Sequence, residues 1–444
     1  MSALPAVPVE PFAPARATFG ALEAFLGSPE AGSMTHSEVE RTLEQRGREL
    51  LRELLQAHLD VRGPGEAAGP VVGADDVARA QPRLHARGLE TVFGEVQVER
   101  VGYGAAGVAS LHPLDADLNL PPELYSLEVR RRVADEAAKS SFDEVVRLLG
   151  GTTGAQVGKR QVEELVGHAA QDFEAFYRER VEGRPPEAVL GCLAPQHGRE
   201  PPARPRPECK RVWASLAEEP DAVLREAFRE ARRRDPDGQK RWVALVDGNE
   251  PQLESLQRLF RREGYRALIV LDFIHVAERV WKAGRDFHQE GSETLEAWVT
   301  ERLLGILRGR APHVAAGMRR SATRQGLAEE ARVGVDACAD YLLKYASYVR
   351  YDRYLEEGLP IATGVIEGAC RYLVKDRMDR TGARWSLHGA EAVLRLRALR
   401  SSGNFEAYWR FHEQQEYRRH HAAQYADGKV VPIRGRQRHL KRVK

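Results

Sequence analysis

Two short apolar runs that each end in an aspartate constrain the fold of this chain most strongly. "RWVALVDG" reaches Asp247 and "YRALIVLDFIH" reaches Asp272, and the amphipathic stretch between them, "NEPQLESLQRLFRREG", predicts a helix. This strand-helix-strand order predicts a parallel sheet. Because side chains at the carboxyl ends of parallel strands converge on one crevice, the two carboxylates indicate a candidate ligand site. An aspartate after a strand is also a common helix N-cap, so a purely structural role for each remains open.

Length and composition indicate a soluble globular protein with two or three domains. The chain has 444 residues, of which 42% are hydrophobic and 30% are charged. No apolar run approaches the roughly 20 residues of a membrane span, and the first twenty residues lack a signal-peptide pattern. We therefore expect a cytoplasmic protein without membrane contact. The cysteines form no CxxC pair, which fits a reducing compartment; they are Cys192, Cys209, Cys338 and Cys370.

The net charge of +2 conceals several strongly basic blocks. They are Arg130–Arg132, "REAFREARRRDPDGQKR" and the final "GKVVPIRGRQRHLKRVK". A single basic block is usually a solvated face, but several in one chain favour a polyanionic partner.

The N-terminal third combines a leader, a helix and a hairpin. Residues 1–20 are rich in Pro and Ala and predict a disordered leader, and Met34–Leu59 has the apolar spacing of an amphipathic helix. "GLETVFGEVQVERVGYG" alternates with a period of two, which places Val92, Val96 and Val98 on one face of a short antiparallel hairpin.

The next segment, residues 126–182, predicts three helices in the outline of a helix-turn-helix. The second begins with a capping box, Ser141 and Glu144, and ends at Gly150-Gly151. The third begins near Val157 and carries Lys159 and Arg160 in its first turn, where they would contact DNA. Any small helical hairpin would give the same outline, so both interpretations stay open.

One acid, Glu367, stands at the start of a basic helix in "GLPIATGVIEGACRYLVKDRMDRTGARW". On an α-helix Glu367, Arg371 and Lys375 share one face, and Cys370 and Leu373 lie on the buried side. Glu367 would join Asp247 as a metal ligand, because clustered carboxylates repel one another unless a divalent cation lies between them. The alternative is a surface ion pair between Glu367 and Arg371. The remaining residues expected to contact nucleic acid here are Arg377, Arg380, Arg384 and Trp385.

With these blocks together, the chain resembles a bacterial insertion-sequence transposase of the ISKra type, a DDE enzyme with an RNase H-like core. The resemblance implies that Asp247 is the second acid of the catalytic triad and Glu367 the third. Asp272 and His275 match an Asp-x-x-His element between those acids, where His275 would support a phosphate or a carboxylate; a buried, satisfied histidine is the alternative. The matching stretches include "LHPLDADLNLPPELYS", "KRQVEELV", "WVALVDGNEPQ", "VLDFIHVAERVWKA", "YLEEGLPIATGVIEGACRYLVKDRMDRTGARWSLHGAEAVLRLRALRS" and "YWRFHEQQE".

The same resemblance implies the cofactor and the partners. Mg²⁺ would be the cofactor, with Mn²⁺ as an alternative ion. The partner would be double-stranded DNA, both as transposon ends and as target. Because two DNA ends must be brought together, we expect a homo-oligomer, associated with the nucleoid in the cytoplasm.

The chain departs from the family at the first aspartate of the triad. The corresponding Pro-rich segment, Gly183–Pro207, contains no aspartate and offers Cys192 in its only strand-like run. We interpret the segment as the scar of an internal deletion, which leaves the activity of this copy in doubt. Three rivals to an active transposase remain: a DNA-binding remnant, a structure-specific nuclease and a helical scaffold without a nucleic-acid role. Asp272 is the candidate replacement for the missing ligand.

The predicted fold class is therefore α+β with an α/β core, in seven segments. Residues 1–20 form the leader, 21–125 the helix and hairpin region, and 126–182 the helix-turn-helix. Residues 183–210 form a linker, 211–275 with 360–425 a truncated RNase H-like core, 276–359 an all-helical insertion and 426–444 a basic tail.

Overall fold

The computed structural model describes residues 10–180, 210–362, 368–379 and 384–434. These residues form a mixed α+β protein in which helices predominate over three small sheets. The chain divides into two compact units. The terminal unit comprises Met1–Arg180, Arg211–Ala214 and Arg377–Lys444, and the central unit comprises Val181–Lys210 and Ser215–Asp376.

A helix of the terminal unit includes part of the predicted disordered leader, residues 1–20. Helix α1 already starts at Ala13, because Pro14 is tolerated in a first helical turn and the alanines that follow favour the helix. Its Phe25 ring lies 4.1 Å below the guanidinium of Arg46, on α3. The predicted amphipathic helix is confirmed as α3. The bounds are Ala13–Leu26 for α1, Pro29–Ser33 for α2 and His36–Arg62 for α3.

The predicted hairpin is confirmed and is longer than expected. Strands β3 and β4 pair antiparallel along their whole length, and β5 adds a third strand next to β4. Val96 and Val98 are buried while Glu95 and Gln97 are exposed, as the alternation predicts. The bounds are Val71–Val72 (β1), Ala78–Arg79 (β2), Gln81–Thr91 (β3), Gly94–Ala105 (β4) and Val108–Leu111 (β5), followed by helix α4 at Pro113–Asp117.

Four helices follow, and two C-terminal helices pack on them. The Ser141 side chain accepts a hydrogen bond from the Glu144 backbone at the start of α6, as predicted, and α6 ends at Thr152. Helix α7 begins at Lys159 rather than Val157. The bounds are Leu127–Ala137 (α5), Phe142–Thr152 (α6), Lys159–Ala169 (α7), Phe173–Glu179 (α8), Leu387–Ser401 (α16) and Phe405–His420 (α17).

The position of these last two helices differs from the predicted domain plan. The sequence predicts that residues 360–425 complete the core formed by residues 211–275. In the structure the chain from Arg377 onward belongs to the terminal unit, because α16 packs against α5 and α7, and α17 packs against α8. The Tyr408 hydroxyl reinforces this packing with a 2.6 Å hydrogen bond to the Ala169 carbonyl.

The central unit contains the predicted strand-helix-strand motif. Strands β6 and β7 pair in parallel with helix α10 between them, and α9 precedes them. Lys210–Leu216 forms neither strand nor helix. The bounds are Pro220–Arg234 (α9), Val243–Val246 (β6), Glu250–Arg262 (α10) and Leu268–Leu271 (β7).

A helical layer follows β7, in the stretch for which the sequence predicts helices. Its interior is apolar, with Val276, Val280, Ile306 and Leu342 fully buried. The bounds are Phe273–Gly284 (α11), Glu293–Leu307 (α12), Ala311–Arg324 (α13), Val333–Lys344 (α14) and Tyr351–Glu356 (α15), with short 3₁₀ turns at Glu329–Ala331 and Ala346–Tyr348. Within the described ranges, every helix is too short or too polar to span a lipid bilayer.

The basic helix after residue 367 is wound differently from the prediction. Cys370–Lys375 forms a π-helix, followed by a short α-helical turn at Asp376–Met378. Hydrogen bonds in a π-helix join residues five apart, so the faces inferred from α-helical spacing do not hold. Leu373 is buried as predicted, but Cys370 is exposed.

Candidate functional site

The pairing of β6 with β7 brings Asp247 and Asp272 to the same edge of the parallel sheet. Val246 lies opposite Leu271 in the register, so the two aspartates follow directly after paired residues. The Asp272 backbone N–H donates a 2.8 Å hydrogen bond to the Val246 carbonyl. This is the arrangement in which strand-end side chains share a crevice.

The two carboxylates differ in burial and in local role. Asp272 is 6% exposed and caps α11, where its carboxylate accepts a hydrogen bond from the Ile274 N–H at 2.8 Å. Asp247 is exposed, and its carboxylate accepts from the Asn249 N–H at 2.8 Å. The structural role left open for Asp272, a helix cap, is therefore present alongside its position at the cleft.

Three tyrosines of the helical layer hold the ends of both strands. The Tyr341 hydroxyl donates to the Asp247 carbonyl at 3.2 Å, and the Tyr345 hydroxyl donates to the Gly248 carbonyl at 3.2 Å. The Tyr351 hydroxyl donates to the Leu271 carbonyl at 2.8 Å. Burial raises the pKa of Tyr341 to about 12, so that its hydroxyl keeps its proton at neutral pH. The backbone that carries both acids is thus fixed by side chains from a separate segment of the chain.

A cleft of about 650 Å³ opens at these strand ends, and we call it the strand-end cleft. Besides the two acids it is lined by the imidazole of His275 and by residues of the π-helix. The Arg371 guanidinium lies 3.7 Å from the Asp376 carboxylate, with both side chains largely exposed. The polar and sulfur-bearing lining residues are Asp247, Gln252, Asp272, His275, Cys370, Arg371, Lys375 and Asp376.

A second cleft of about 390 Å³ adjoins the first, and we call it the α11 cleft. It shares Asp247 and His275 with the strand-end cleft. His275 Nδ1 lies 3.2 Å from the Glu278 carboxylate. The complete lining is Asp247, Gly248, Asn249, His275, Glu278, Arg279 and Lys282.

Of the further residues predicted to contact DNA near Glu367, the structure describes three: Arg377, Arg384 and Trp385. Glu367 and Arg380 lie outside the described residues, and Arg384 is exposed. Arg377 is 3% exposed, with its guanidinium 4.5 Å from the centre of the Trp385 ring. The Phe142 ring meets Trp385 edge to face. Arg377 and Trp385 therefore pack within the terminal unit, and in this conformation the Arg377 guanidinium is not available to a phosphate.

The two cations predicted for the helix-turn-helix lie on the surface of α7. Lys159 Nζ donates to the Asp143 carboxylate at 2.7 Å, and Arg160 Nε donates to the Glu164 carboxylate at 3.1 Å. Both pairs are solvent-exposed. Exposed pairs of this kind contribute about 0–1 kcal/mol, so a phosphate competes readily for either cation.

A buried polar cluster in the terminal unit was missed by the sequence reasoning. Asp172, His412 and Glu416 place one potential ligand atom each within 4.8 Å of one another, and His412 Nδ1 lies 2.7 Å from Asp172 Oδ2. Arg419 contacts both carboxylates, and Arg130 lies 3.6 Å from Glu416. The spacing His-x-x-x-Glu on α17 was the available signal, but nothing local links it to Asp172.

The cluster has the donor atoms of a metal site, but its charges are already matched. Two carboxylates face two guanidiniums, so a divalent cation would add an uncompensated charge to a buried position. Among the residues that the structure describes, this is the only group of three or more His, Cys, Asp or Glu side chains whose ligand atoms lie this close together. The strand-end cleft has two candidate metal ligands, the strand-terminal acids Asp247 and Asp272. The predicted third ligand, Glu367, precedes Cys370, a lining residue of this cleft, by three positions in the sequence.

Comparison with protein-family models and with curated proteins gave no match.

Proposed function

We propose that this chain is an insertion-sequence DNA transposase, whose central unit cleaves and transfers DNA strands with Mg²⁺ and whose terminal unit binds DNA. One observation carries the proposal. Asp247 and Asp272 end neighbouring parallel strands and line one cleft together with His275, Arg371 and Lys375. Acids at strand ends with cations across the cleft suit a phosphodiester substrate that reaches the acids through a divalent ion.

The donor set of the strand-end cleft fits Mg²⁺. Its acids are carboxylates, which are the hard oxygen ligands that Mg²⁺ prefers, and substrate phosphates commonly complete its coordination. Asp247 and Asp272 would hold the ion, with Glu367 as the third ligand that the resemblance implies. When bound, the ion would supply charge neutralisation at the scissile phosphate.

The other residues of the cleft have roles that follow from their charge and position. Arg371 and Lys375 are exposed cations on the π-helix and would hold phosphates flanking the reacting one. His275 is partly exposed between the two clefts and would donate a hydrogen bond to a phosphate oxygen. Tyr341 and Tyr351 would keep the two acids in place through the strand carbonyls.

We also propose that the central unit contains part of an RNase H-like core and that the terminal unit contains a helix-turn-helix. A parallel strand-helix-strand motif with acids at the strand ends is compatible with part of an RNase H-like core. Helices α5 to α7, with Lys159 and Arg160 at the start of the third, support a helix-turn-helix that binds DNA. The expected homo-oligomer follows from the need to hold two DNA ends.

A DNA-binding remnant without catalysis is the second candidate function. The observation that favours it is the absence of an aspartate from the Gly183–Pro207 segment, where the family has its first acid. In that case the terminal unit would bind DNA in the same way, and the strand-end cleft would hold Mg²⁺ weakly.

The deciding experiment measures strand cleavage and strand transfer on DNA that carries the ends of the element encoding this chain, with Mg²⁺ or Mn²⁺. We expect cleavage by the wild type and a loss of at least 100-fold in Asp247→Asn and Asp272→Asn. Asn replaces Asp well as an N-cap, so Asp272→Asn keeps the helix start and removes only the charge. Binding of the ends without cleavage in either metal would establish the remnant. Cleavage without strand-transfer products would indicate a nuclease.

A further inference from the structure

The α11 cleft adjoins the strand-end cleft at Asp247 and His275, which line both. The two clefts share no other lining residue. The strand-end cleft is lined by Arg371 and Lys375 of the π-helix, whereas the α11 cleft is lined by Arg279 and Lys282. Its volume, about 390 Å³, lies in the range of about 300–1,000 Å³ of ligand pockets.

Four of the seven lining residues of the α11 cleft lie on one face of α11. These residues follow one another at steps of three, one and three positions, which is the spacing of one α-helical face. They are His275, Glu278, Arg279 and Lys282. Because α11 starts at the end of β7, this face begins beside Asp272 and leads away from it. The helix therefore presents two cations in a row that starts at the candidate catalytic acids.

Neither cation is neutralised by a carboxylate in the described part of the chain. The Arg279 guanidinium lies 4.0 Å from the centre of the Tyr341 ring, which holds it in place without removing its charge. Nearby cations of the same unit do have acidic partners, such as Arg285 with Glu290 at 2.7 Å. The acid of the cleft face, Glu278, is instead engaged by His275. Arg279 and Lys282 are exposed and available to an anion.

We propose that the α11 cleft is a subsite for the phosphate backbone of a DNA strand, with Arg279 and Lys282 as its phosphate ligands. The inference rests on the proposed function and extends it, since it gives the strand a path from Arg371 and Lys375, past Asp247 and His275, to α11. Arg279 is suited to this role because its planar guanidinium presents several donors to one phosphate while the Tyr341 ring supports its face.

The test is the salt dependence of binding to a labelled DNA duplex of the element end, measured by fluorescence anisotropy without divalent metal. We expect Arg279→Gln and Lys282→Gln each to lower the slope of log K against log salt by about 0.9, with a 3- to 10-fold weaker affinity at low salt. Arg285→Gln, at the residue directly after the same helix, is the matched control and should leave both quantities unchanged. Thermal unfolding of each variant verifies that the fold is retained.

Unchanged slopes in both folded variants would overturn the subsite. If these variants lose affinity for a mononucleotide such as dAMP but keep the affinity for the duplex, the cleft holds a small anion and the strand path is wrong. The salt-dependence test of the subsite can be distinguished from the cleavage test of the proposed reaction. If the slope falls in Arg279→Gln and Lys282→Gln but the wild type cleaves no DNA, the subsite is supported and the proposed reaction is rejected. If the wild type cleaves DNA and the slopes of both variants are unchanged, the reaction is supported and the subsite is rejected. A wild type without salt-dependent binding would reject both.

Discussion

The Tyr351 hydroxyl donates a 2.8 Å hydrogen bond to the backbone carbonyl of Leu271, the residue immediately before Asp272. Tyr351 is completely buried, and 80 positions along the chain separate the two residues. The helical layer therefore does more than cover the sheet, because it fixes the position at which the second strand ends. Tyr341 does the same for the first strand at Asp247.

Removing the Tyr351 hydroxyl is expected to weaken this support. Tyr351→Phe leaves a buried carbonyl with one donor fewer, so we expect the free energy of unfolding to fall by about 1 kcal/mol. We also expect Mg²⁺ affinity, measured by calorimetry, to fall several-fold because Asp272 loses a fixed position. Tyr354→Phe is the control, since the Tyr354 hydroxyl bonds to the Ser347 carbonyl and not to the carbonyl of a strand residue. Equal metal affinities in the two variants would contradict the positioning role.

Gly248 follows Asp247 in a conformation that a side chain would disturb. Its φ is +86°, and an added Cβ would lie 2.7 Å from the Tyr341 hydroxyl oxygen. We expect Gly248→Ala to lower the free energy of unfolding by about 2–3 kcal/mol, through backbone strain and through the displaced tyrosine. Gly264→Ala separates the two causes, because Gly264 also has a positive φ, +64°, but has open space at Cβ. Denaturant unfolding should show a loss of about 1 kcal/mol there, and an equal loss at both glycines would mean that the tyrosine contact is unimportant.

The buried cluster of the terminal unit is expected to be structural and independent of metal. Asp172→Asn would leave Arg419 and His412 without their shared acid, and we expect a loss of about 3 kcal/mol in unfolding free energy. Asp143→Asn removes an exposed partner of Lys159 and should cost less than about 0.5 kcal/mol. Extensive dialysis against a chelator should leave the melting temperature of the wild type unchanged. A drop that Zn²⁺ or Mg²⁺ restores would instead identify a metal site.

The pH dependence of stability should report on His112. Burial, together with the charges of Arg100 and His85, lowers the pKa of His112 to about 4. In the unfolded chain an ordinary histidine binds a proton near pH 6.5, so between about pH 6.5 and 4 the unfolded state binds more protons and folding stability falls as pH falls. Above that window the histidine contributes no pH dependence.

We therefore expect His112→Asn to flatten this part of the stability profile by about 1–2 kcal/mol between pH 7 and pH 4.5. Asparagine preserves the N-cap position that His112 occupies before α4. His36→Asn is the control, because the His36 side chain is 86% exposed. Urea unfolding at a series of pH values gives the measurement. Identical profiles for the wild type and His112→Asn would show that His112 is not the titrating group.

Local chemistry in the sequence was sufficient to predict many of the elements. The period-two alternation around Val96 and Val98 gave the hairpin, and the apolar runs before Asp247 and Asp272 gave a parallel pair joined by a helix. Ser141 marked the start of α6. These signals extend over only a few residues, because they depend on the periodicity of apolar side chains and on backbone capping. They can therefore be recognised without knowledge of the fold. The proximity of the two strand-end acids followed from the same rule.

Only the tertiary structure decided how distant segments complete these elements. It packed the predicted DNA contact Arg377 beneath Trp385, exposed Cys370 through a π-helical turn, and joined Asp172 to His412 across 240 positions. It also supplied the tyrosine hydroxyls behind the strand ends. Such contacts depend on which faces of the helices and strands pack together. The free energy of burying one face against another depends on the residues of both faces. A single stretch of sequence contains only one of them.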